Sequence, residues 1–438
     1  LARERHSMNR KEKIFKFLND LEIEEAKQLP QFCHNINNDK KVYYGGPSFD
    51  KEELVEAIDC LLFGKWVSSG HKVHEFEIEV GKVLNQEACV MVNSGSSANL
   101  VAISAAKEYF KWNDNDEIIL SVVGFPTTLN PIIQNNLKPV FVDIEYDTLN
   151  FDLNKLQDKI TSKTKAIFVS PVLGNMPDLD KLIEMAEEHN ILLLLDCCDS
   201  LGTKWKGRNI SEYFFFSTLS FYPAHHITTG EGGMVCSNST EFIRIVRSLT
   251  WWGRDCYCIG AENLLCNGRC GKRFSNWIPD YDFQVDHKYV FTQVGYNLKP
   301  LDLQGAIGLV QLKKLSYIHN MRREIKNKIQ TIFENVEGLK FCSEDERCET
   351  SWFGVPIICE SYNLKTKLVA FLESNGIQTR NYFAGNILFH PAYAGLDDKT
   401  KYPNASTVLQ KVFFLGCSPT INEGKIKHIE EIVGDFNG

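Results

Sequence analysis

The residues of this chain with chemical reach fall into four groups. Fourteen cysteines are spread over 438 residues, and four of them crowd together: Cys256, Cys258, Cys266 and Cys270. No basic, apolar and small-residue leader opens the sequence, and Leu1–Ser7 before Met8 reads as a tag remnant. The thiols are therefore expected in a reducing cytoplasm, where paired disulfides are rare. Tight cysteine spacing there points to a metal, whereas scattered cysteines behave as small core hydrophobes. Asp196 closes the apolar run Ile191–Leu195. A carboxylate at the C-terminal end of a buried strand sits where α/β sheets bind ligands, though a turn or capping aspartate has the same look. Asn93-Ser94-Gly95-Ser96-Ser97-Ala98-Asn99 places small residues between a strand and a helix. Such a loop brings backbone N–H groups to an anion, and its serines also suit a helix cap. The stretch from Ser220 to Gly233 joins hydroxyls, two adjacent histidines (His225 and His226) and a glycine run, a setting for proton transfer near neutral pH.

These groups need elements to hold them. From Glu87 a regular alternation predicts strands over 88–92, 117–123, 139–143, 166–171 and 191–196. Helices are predicted between them over 98–110, 128–135, 152–160 and 178–189. Two further strands are expected at 214–219 and 233–236. Strand alternating with helix argues a mostly parallel central sheet flanked by helices. An arm helix is expected near Ile14–Leu21 and another over Asp50–Phe63. Residues 251–294 read as a cysteine-rich, aromatic insertion, and Leu303–Tyr317 as a helix. The division that follows is 1–44 as tag remnant and arm, 45–310 as a large cofactor-binding domain, and 311–438 as a smaller α+β C-terminal domain.

Composition narrows the classes. Hydrophobic residues make up 43% and charged residues 24%, as in folded globular proteins. The formal charge of −8 lacks the basic footprint that nucleic acid or an anionic membrane requires. The longest apolar runs fall far short of the ~20 residues that span a bilayer.

In order and spacing, the loop at Ser94–Ser97, Asp196 and the Ser220 loop resemble the DegT/DnrJ/EryC1/StrS sugar aminotransferase family, whose fold is the fold-type I architecture of pyridoxal-phosphate enzymes. The resemblance runs from about Gly45 to the C-terminus. It implies that Ser96, Ser97 and Ser220 hold a cofactor phosphate and that Phe125 stacks on the pyridine ring. It implies that Asp196 pairs with the pyridinium nitrogen and that Asp199 lies near the ring hydroxyl. Asn297, in Gly295-Tyr296-Asn297-Leu298, would reach the phosphate of a partner subunit, so a homodimer is implied. The family's Schiff-base lysine stands five residues beyond the Ser220 position, and here that residue is His225. Histidine forms no covalent link to the cofactor aldehyde. This change resembles the sugar 3-dehydratase branch, in which pyridoxamine phosphate (PMP) is the cofactor and histidine the catalytic base.

The cysteines sharpen the resemblance. Fifty-seven residues separate Cys198 from Cys256, one separates Cys256 from Cys258, and seven separate Cys258 from Cys266. That spacing resembles the iron–sulfur motif of the 3-dehydrases that act on CDP-4-keto-6-deoxy-D-glucose. It implies Cys198, Cys256, Cys258 and Cys266 as ligands of a 2Fe-2S cluster, with tetrahedral zinc as the physical alternative. The activity implied is removal of the 3-hydroxyl of a nucleotide-diphosphate 4-keto-6-deoxyhexose on the way to 3,6-dideoxyhexoses of surface polysaccharide. A separate NAD(P)H-dependent flavin and iron–sulfur reductase would supply electrons, docking on the exposed part of 251–294. Tyr222, Arg254, Lys299 and Arg380 are candidate sugar or diphosphate contacts. A cluster-free dehydratase that regenerates PMP with glutamate, and a non-catalytic binding protein on the same scaffold, are the competing readings.

Overall fold

The computed structural model describes residues 8–20, 40–256, 258, 273–278 and 280–436. Its centre is a seven-stranded sheet. In spatial order the strands are Ala88–Val92, Gly233–Ser237, Phe216–Ser220, Leu192–Asp196, Thr164–Val169, Glu117–Ser121 and Lys138–Val142. Gly233–Ser237 runs antiparallel to both its neighbours, and the other pairings are parallel. The strands are nearly continuous apolar runs because helices cover both faces. The α/β, mostly parallel architecture expected from the alternation is thus present.

Local chemistry sets the element ends. Asp50 caps Lys51–Phe63 with a full capping box to Glu53. Ser94 caps Gly95–Tyr109, and Pro126 opens Pro126–Gln134 at the position where a missing N–H costs nothing. The expected helix at 152–160 is only Leu153–Gln157. The structure adds a helix, His71–Leu84, that the expected pattern lacked. The helix expected over 303–317 runs on from Asp302 to Phe333. Its second half buries Ile318, Ile325, Ile329 and Phe333, but the stripe is interrupted by buried His319 and Arg322, which hides the periodicity. The arm helix Arg10–Asp20 packs Ile14 and Leu18 on Val55, and Arg10 and Lys11 pair with Asp59 and Glu56.

A second sheet, all antiparallel, is ordered Leu339–Phe341, Gly354–Cys359, Val412–Gly416 and Arg380–Asn381. It is tied to the rest at several places, two of them by strand-like pairing. Cys348–Glu349 pairs with Lys204–Trp205, and Val42 exchanges backbone hydrogen bonds with Gly376 and Gln378. No helix among the described residues is long and apolar enough to cross a membrane.

Ala88–Val92 is an edge strand, and open edges invite unwanted pairing. Here a buried ion pair closes it. Glu77, on one flanking helix, accepts from Met91 N–H at 2.9 Å. Arg247, on the other, donates to the Cys89 carbonyl at 3.1 Å and meets Glu77 at 2.9 Å. Burial alone would raise the Glu77 carboxyl, but Arg247 and hydrogen bonds from His74 and Met91 hold it below its usual range. Stability from this group is therefore present above its ordinary value of 4.5 and is lost as the pH falls through the lowered one. Arg247→Met should strand a buried carboxylate and cost about 3–5 kcal/mol in urea unfolding at neutral pH. Adding Glu77→Gln should recover part of that loss, and full additivity would show that the two groups are not coupled.

Candidate active site

Between the C-terminal ends of the central strands and the second sheet lies a cavity of about 670 Å³. Gly95, Ser96, Phe125, Asp196, Cys198, Asp199, Ser220, Tyr222 and His225 line it from the large sheet's side. Tyr44, Phe353, Arg380, Asn381, Phe383 and Phe414 line it from the other.

One end is an anion cradle. The first turn of Gly95–Tyr109 offers backbone N–H groups and the positive end of the helix dipole. Gly95 is pressed against the Ser220 strand so closely that an added Cβ would stand 2.5 Å from Ser220 Cβ. Ser96 and Ser220 face the cavity. Ser97 is placed differently: its N–H and its hydroxyl both pair with Ser94 Oγ, at 3.1 and 3.0 Å, so it belongs to the helix cap.

At the other end stands Asp196, buried and held by three donors. Asn99 Nδ2 at 2.8 Å and Thr128 Oγ1 at 2.7 Å donate to Oδ2, and the Cys198 N–H donates to Oδ1 at 3.3 Å. Phe125, 54% exposed, caps the helix after it and leans edge-on against Phe383. Asp199 Oδ2 accepts from Leu173 N–H, and its Oδ1 lies 3.5 Å from His225 Nδ1. Burial and then the charge of Asp196 raise the Asp199 carboxyl to about 7. His225 is pushed the other way, to about 4, by burial and by Arg322. Its Nδ1 is a buried polar atom with no hydrogen-bond partner. His226, by contrast, is a structural residue whose Nε2 meets the Ser351 carbonyl at 2.9 Å.

The set fits a ligand with a phosphate at one end and a protonated aromatic nitrogen at the other. Sequence reasoning passed over Asn99, Thr128, Arg322 and the aromatic wall Phe353, Phe383 and Phe414. Asn99 and Thr128 lay inside singled-out stretches, Asn93–Asn99 and Gly124–Asn130; the others are joined to the site by tertiary packing. Of the candidate sugar contacts, Tyr222 and Arg380 line this cavity. Arg254 and Lys299 instead stack on Trp252, at 4.5 and 3.4 Å from its ring centre. Asn297 is there too, bridged to Trp251 and paired with Lys299, and it does not line the cavity of its own chain.

The cysteines divide. Cys198 lines the Asp196 cavity, while Cys197, the first residue past the strand, turns into the core. Cys256 and Cys258 line another cavity of about 1350 Å³, shared with Glu77, Cys89 and Arg247 at the edge strand. The Asp196 strand and the edge strand are three steps apart in the sheet, about 14 Å at the usual strand spacing. Cys266 lies outside the described residues. Among the described residues, no three histidine, cysteine or acidic side chains gather to hold a metal. Within one chain, Cys198 and the pair Cys256 and Cys258 thus line different cavities.

Comparison with known proteins gives a consistent result. The profile of the DegT/DnrJ/EryC1/StrS aminotransferase family matches residues 48–434. A dTDP-4-dehydro-2,6-dideoxy-D-glucose 3-dehydratase of Saccharopolyspora spinosa is 37% identical, over 89% of this chain and 85% of the relative. The lipopolysaccharide biosynthesis protein RfbH of Salmonella typhimurium is 35% identical, over 89% and 90%. Among solved structures, an E coli GDP-4-keto-6-deoxy-D-mannose-3-dehydratase with bound hydrated PLP superposes with a TM-score of 0.78 at 28% identity. It covers 90% of this chain and 99% of that one.

The electrostatics of His225 can be checked directly. In the cofactor-free protein, its ring resonances should titrate with a midpoint near 4 rather than the ordinary 6.5. The folded protein then binds fewer protons than the unfolded chain between those values. His225 accordingly lowers stability as the pH falls through that window. A midpoint at 6.5 by NMR would contradict the burial and the influence of Arg322.

Proposed function

The chain belongs to the DegT/DnrJ/EryC1/StrS aminotransferase family, and from that premise we propose that it is a 3-dehydratase of a nucleotide-diphosphate 4-keto-6-deoxyhexose with PMP as cofactor. The observation that carries this is the composition of the cavity. It holds Asp196, Ser220, the Gly95–Ser96 cradle and His225, and among the described residues no lysine lines it. The described lining offers no amine to hold the cofactor aldehyde, and its base is an imidazole. Relatives named as 3-dehydratases of dTDP- and GDP-linked sugars support the reaction class.

When bound, PMP supplies an amine that condenses with a keto group and a π system that spreads the charge left by proton removal. The chain's own residues do the rest. The helix N-terminus at Gly95, with the Ser96 and Ser220 hydroxyls, holds the phosphate. Asp196 keeps the ring nitrogen protonated, and Phe125 covers the ring. His225, neutral above about pH 4, takes a proton, and Asp199 beside Nδ1 stabilises the imidazolium that forms. That imidazolium holds the proton the departing 3-hydroxyl needs. Tyr222 and Arg380 stand where the sugar or diphosphate would enter.

A narrower reading takes CDP as the nucleotide and Cys198, Cys256, Cys258 and Cys266 as ligands of a 2Fe-2S cluster reloaded by an NAD(P)H-dependent reductase. It includes a cytoplasmic homodimer in which Asn297 serves the partner's phosphate, and the domain division 45–310 and 311–438. The cysteine spacing supports the cluster. That Cys198 lines one cavity and Cys256 and Cys258 another favours a second reading, a cluster-free enzyme that renews PMP from glutamate. One solved GDP-4-keto-6-deoxymannose-3-dehydratase holds a trapped PLP-glutamate geminal diamine.

Two experiments test these statements. His225→Asn should still bind PMP, seen by its absorbance, and should lose dehydration by about 10²–10⁴-fold; undiminished turnover would remove His225 as base. Anaerobically purified protein should be brown with about two irons per chain if the cluster is present. A colourless protein whose turnover requires glutamate would select the second reading.

A further inference from the structure

The donors around Asp196 form an ordered chain rather than a random shell. Asn99 is 1% exposed and sits on the cradle helix, one turn past Ser96. Its two Nδ2 hydrogens go to Asp196 Oδ2 at 2.8 Å and to the Thr127 carbonyl at 3.1 Å. Its Oδ1 accepts from Thr218 Oγ1 at 2.5 Å. Thr218 stands directly beside Asp196 on the adjacent strand. The amide therefore has one orientation. Flipped, its oxygen would face the carboxylate and the Thr127 carbonyl, and its hydrogens would meet the Thr218 hydroxyl.

The consequence falls on the carboxylate. Thr128 Oγ1 donates to the same Oδ2 at 2.7 Å. Each carboxylate oxygen takes about two hydrogen bonds, so Oδ2 is filled by Asn99 and Thr128. Oδ1 carries the long 3.3 Å contact from the Cys198 N–H, and the other donor beside the carboxylate is the weakly donating Cys198 thiol, so a lone pair stays open to a charged ring N–H. We infer that Asn99, oriented by Thr218, is a positioning residue that dedicates Asp196 Oδ1 to the ring nitrogen of the cofactor. The inference rests on the PMP reading of the cavity. It adds that the proton on the ring nitrogen is set by a side chain that touches neither cofactor nor substrate.

The test titrates purified protein with PMP labelled with ¹⁵N in the ring, reading affinity by absorbance and ring protonation by ¹⁵N shift. Asn99→Leu should weaken PMP by about tenfold, the order of one hydrogen bond to a charged group, and should move the ¹⁵N signal toward neutral pyridine. Thr218→Val should move both readouts in the same direction by less, and Thr218→Ser, which keeps the hydroxyl, should restore them. Because Asn99→Leu disturbs a buried site, the Thr218 pair carries the test if that variant does not fold. A Thr218→Val protein with wild-type affinity and wild-type ¹⁵N shift overturns the inference alone. So does a Thr218→Val protein with weakened affinity and an unmoved ¹⁵N shift, since a merely structural role gives that pattern. A wild-type protein that shows no PMP absorbance overturns the cofactor reading and this inference with it.

Discussion

The structure turns on seating one carboxylate where little water reaches it. Asp196 is 5% exposed at the end of the central strand. A bare charge there would cost several kcal/mol, so three elements converge to donate to it. Strand Phe216–Ser220 orients Asn99, helix Pro126–Gln134 brings Thr128, and the turn after Asp196 presents the Cys198 N–H. Seating Asn99 also fixes where its helix begins, and that beginning is the anion cradle. Carboxylate and cradle are thus two outcomes of one packing arrangement. The cavity between them favours a ligand that is anionic at one end and protonated at the other.

His225 is governed by a second buried charge, of opposite sign. Arg322 is fully buried and donates from Nη1 to the Trp352 and Phe353 carbonyls and from Nη2 to the Ala224 and His225 carbonyls. It therefore bolts the histidine loop to the chain entering the second sheet. The same cation adds to the burial that keeps the imidazole neutral, and Asp199 on the other side is raised by burial and by Asp196. A neutral base beside a carboxyl poised near neutrality is a site that moves a proton with little net change of buried charge.

What could be read from the sequence follows from how local each signal is. The strands and most helices of the central sheet are continuous runs or single-period stripes, so their order was legible. Asp196 stood out as a carboxylate closing an apolar run, while the readings of Ser220 and His225 came from the family resemblance of their loop. The helix His71–Leu84 carried a fair stripe at Val73, Phe76, Val80 and Leu84, but its charges dilute it. The second half of Asp302–Phe333 was hidden because a buried arginine stands where the pattern calls for an apolar residue. Thr128 and Arg322 were illegible as site residues because only the fold brings them to Asp196 and His225. Ser97 shows that a hydroxyl in a cradle motif has the helix cap to serve as well.

The cysteines mark the limit of spacing as an argument. Between Cys198 and Cys256 the chain builds strands Phe216–Ser220 and Gly233–Ser237 and helix Thr240–Thr250, and so moves sideways across the sheet. Its two ends reach different cavities. Cys89 and Cys236, far apart in sequence, face each other in strand register. Burial and then Asp196 push the Cys198 thiol well above its usual range, so nothing described around it favours a thiolate. Only a strong positive charge brought to that spot would reverse this. What approaches the cavity mouth decides the chemistry of Cys198, and the interval between cysteines does not encode it.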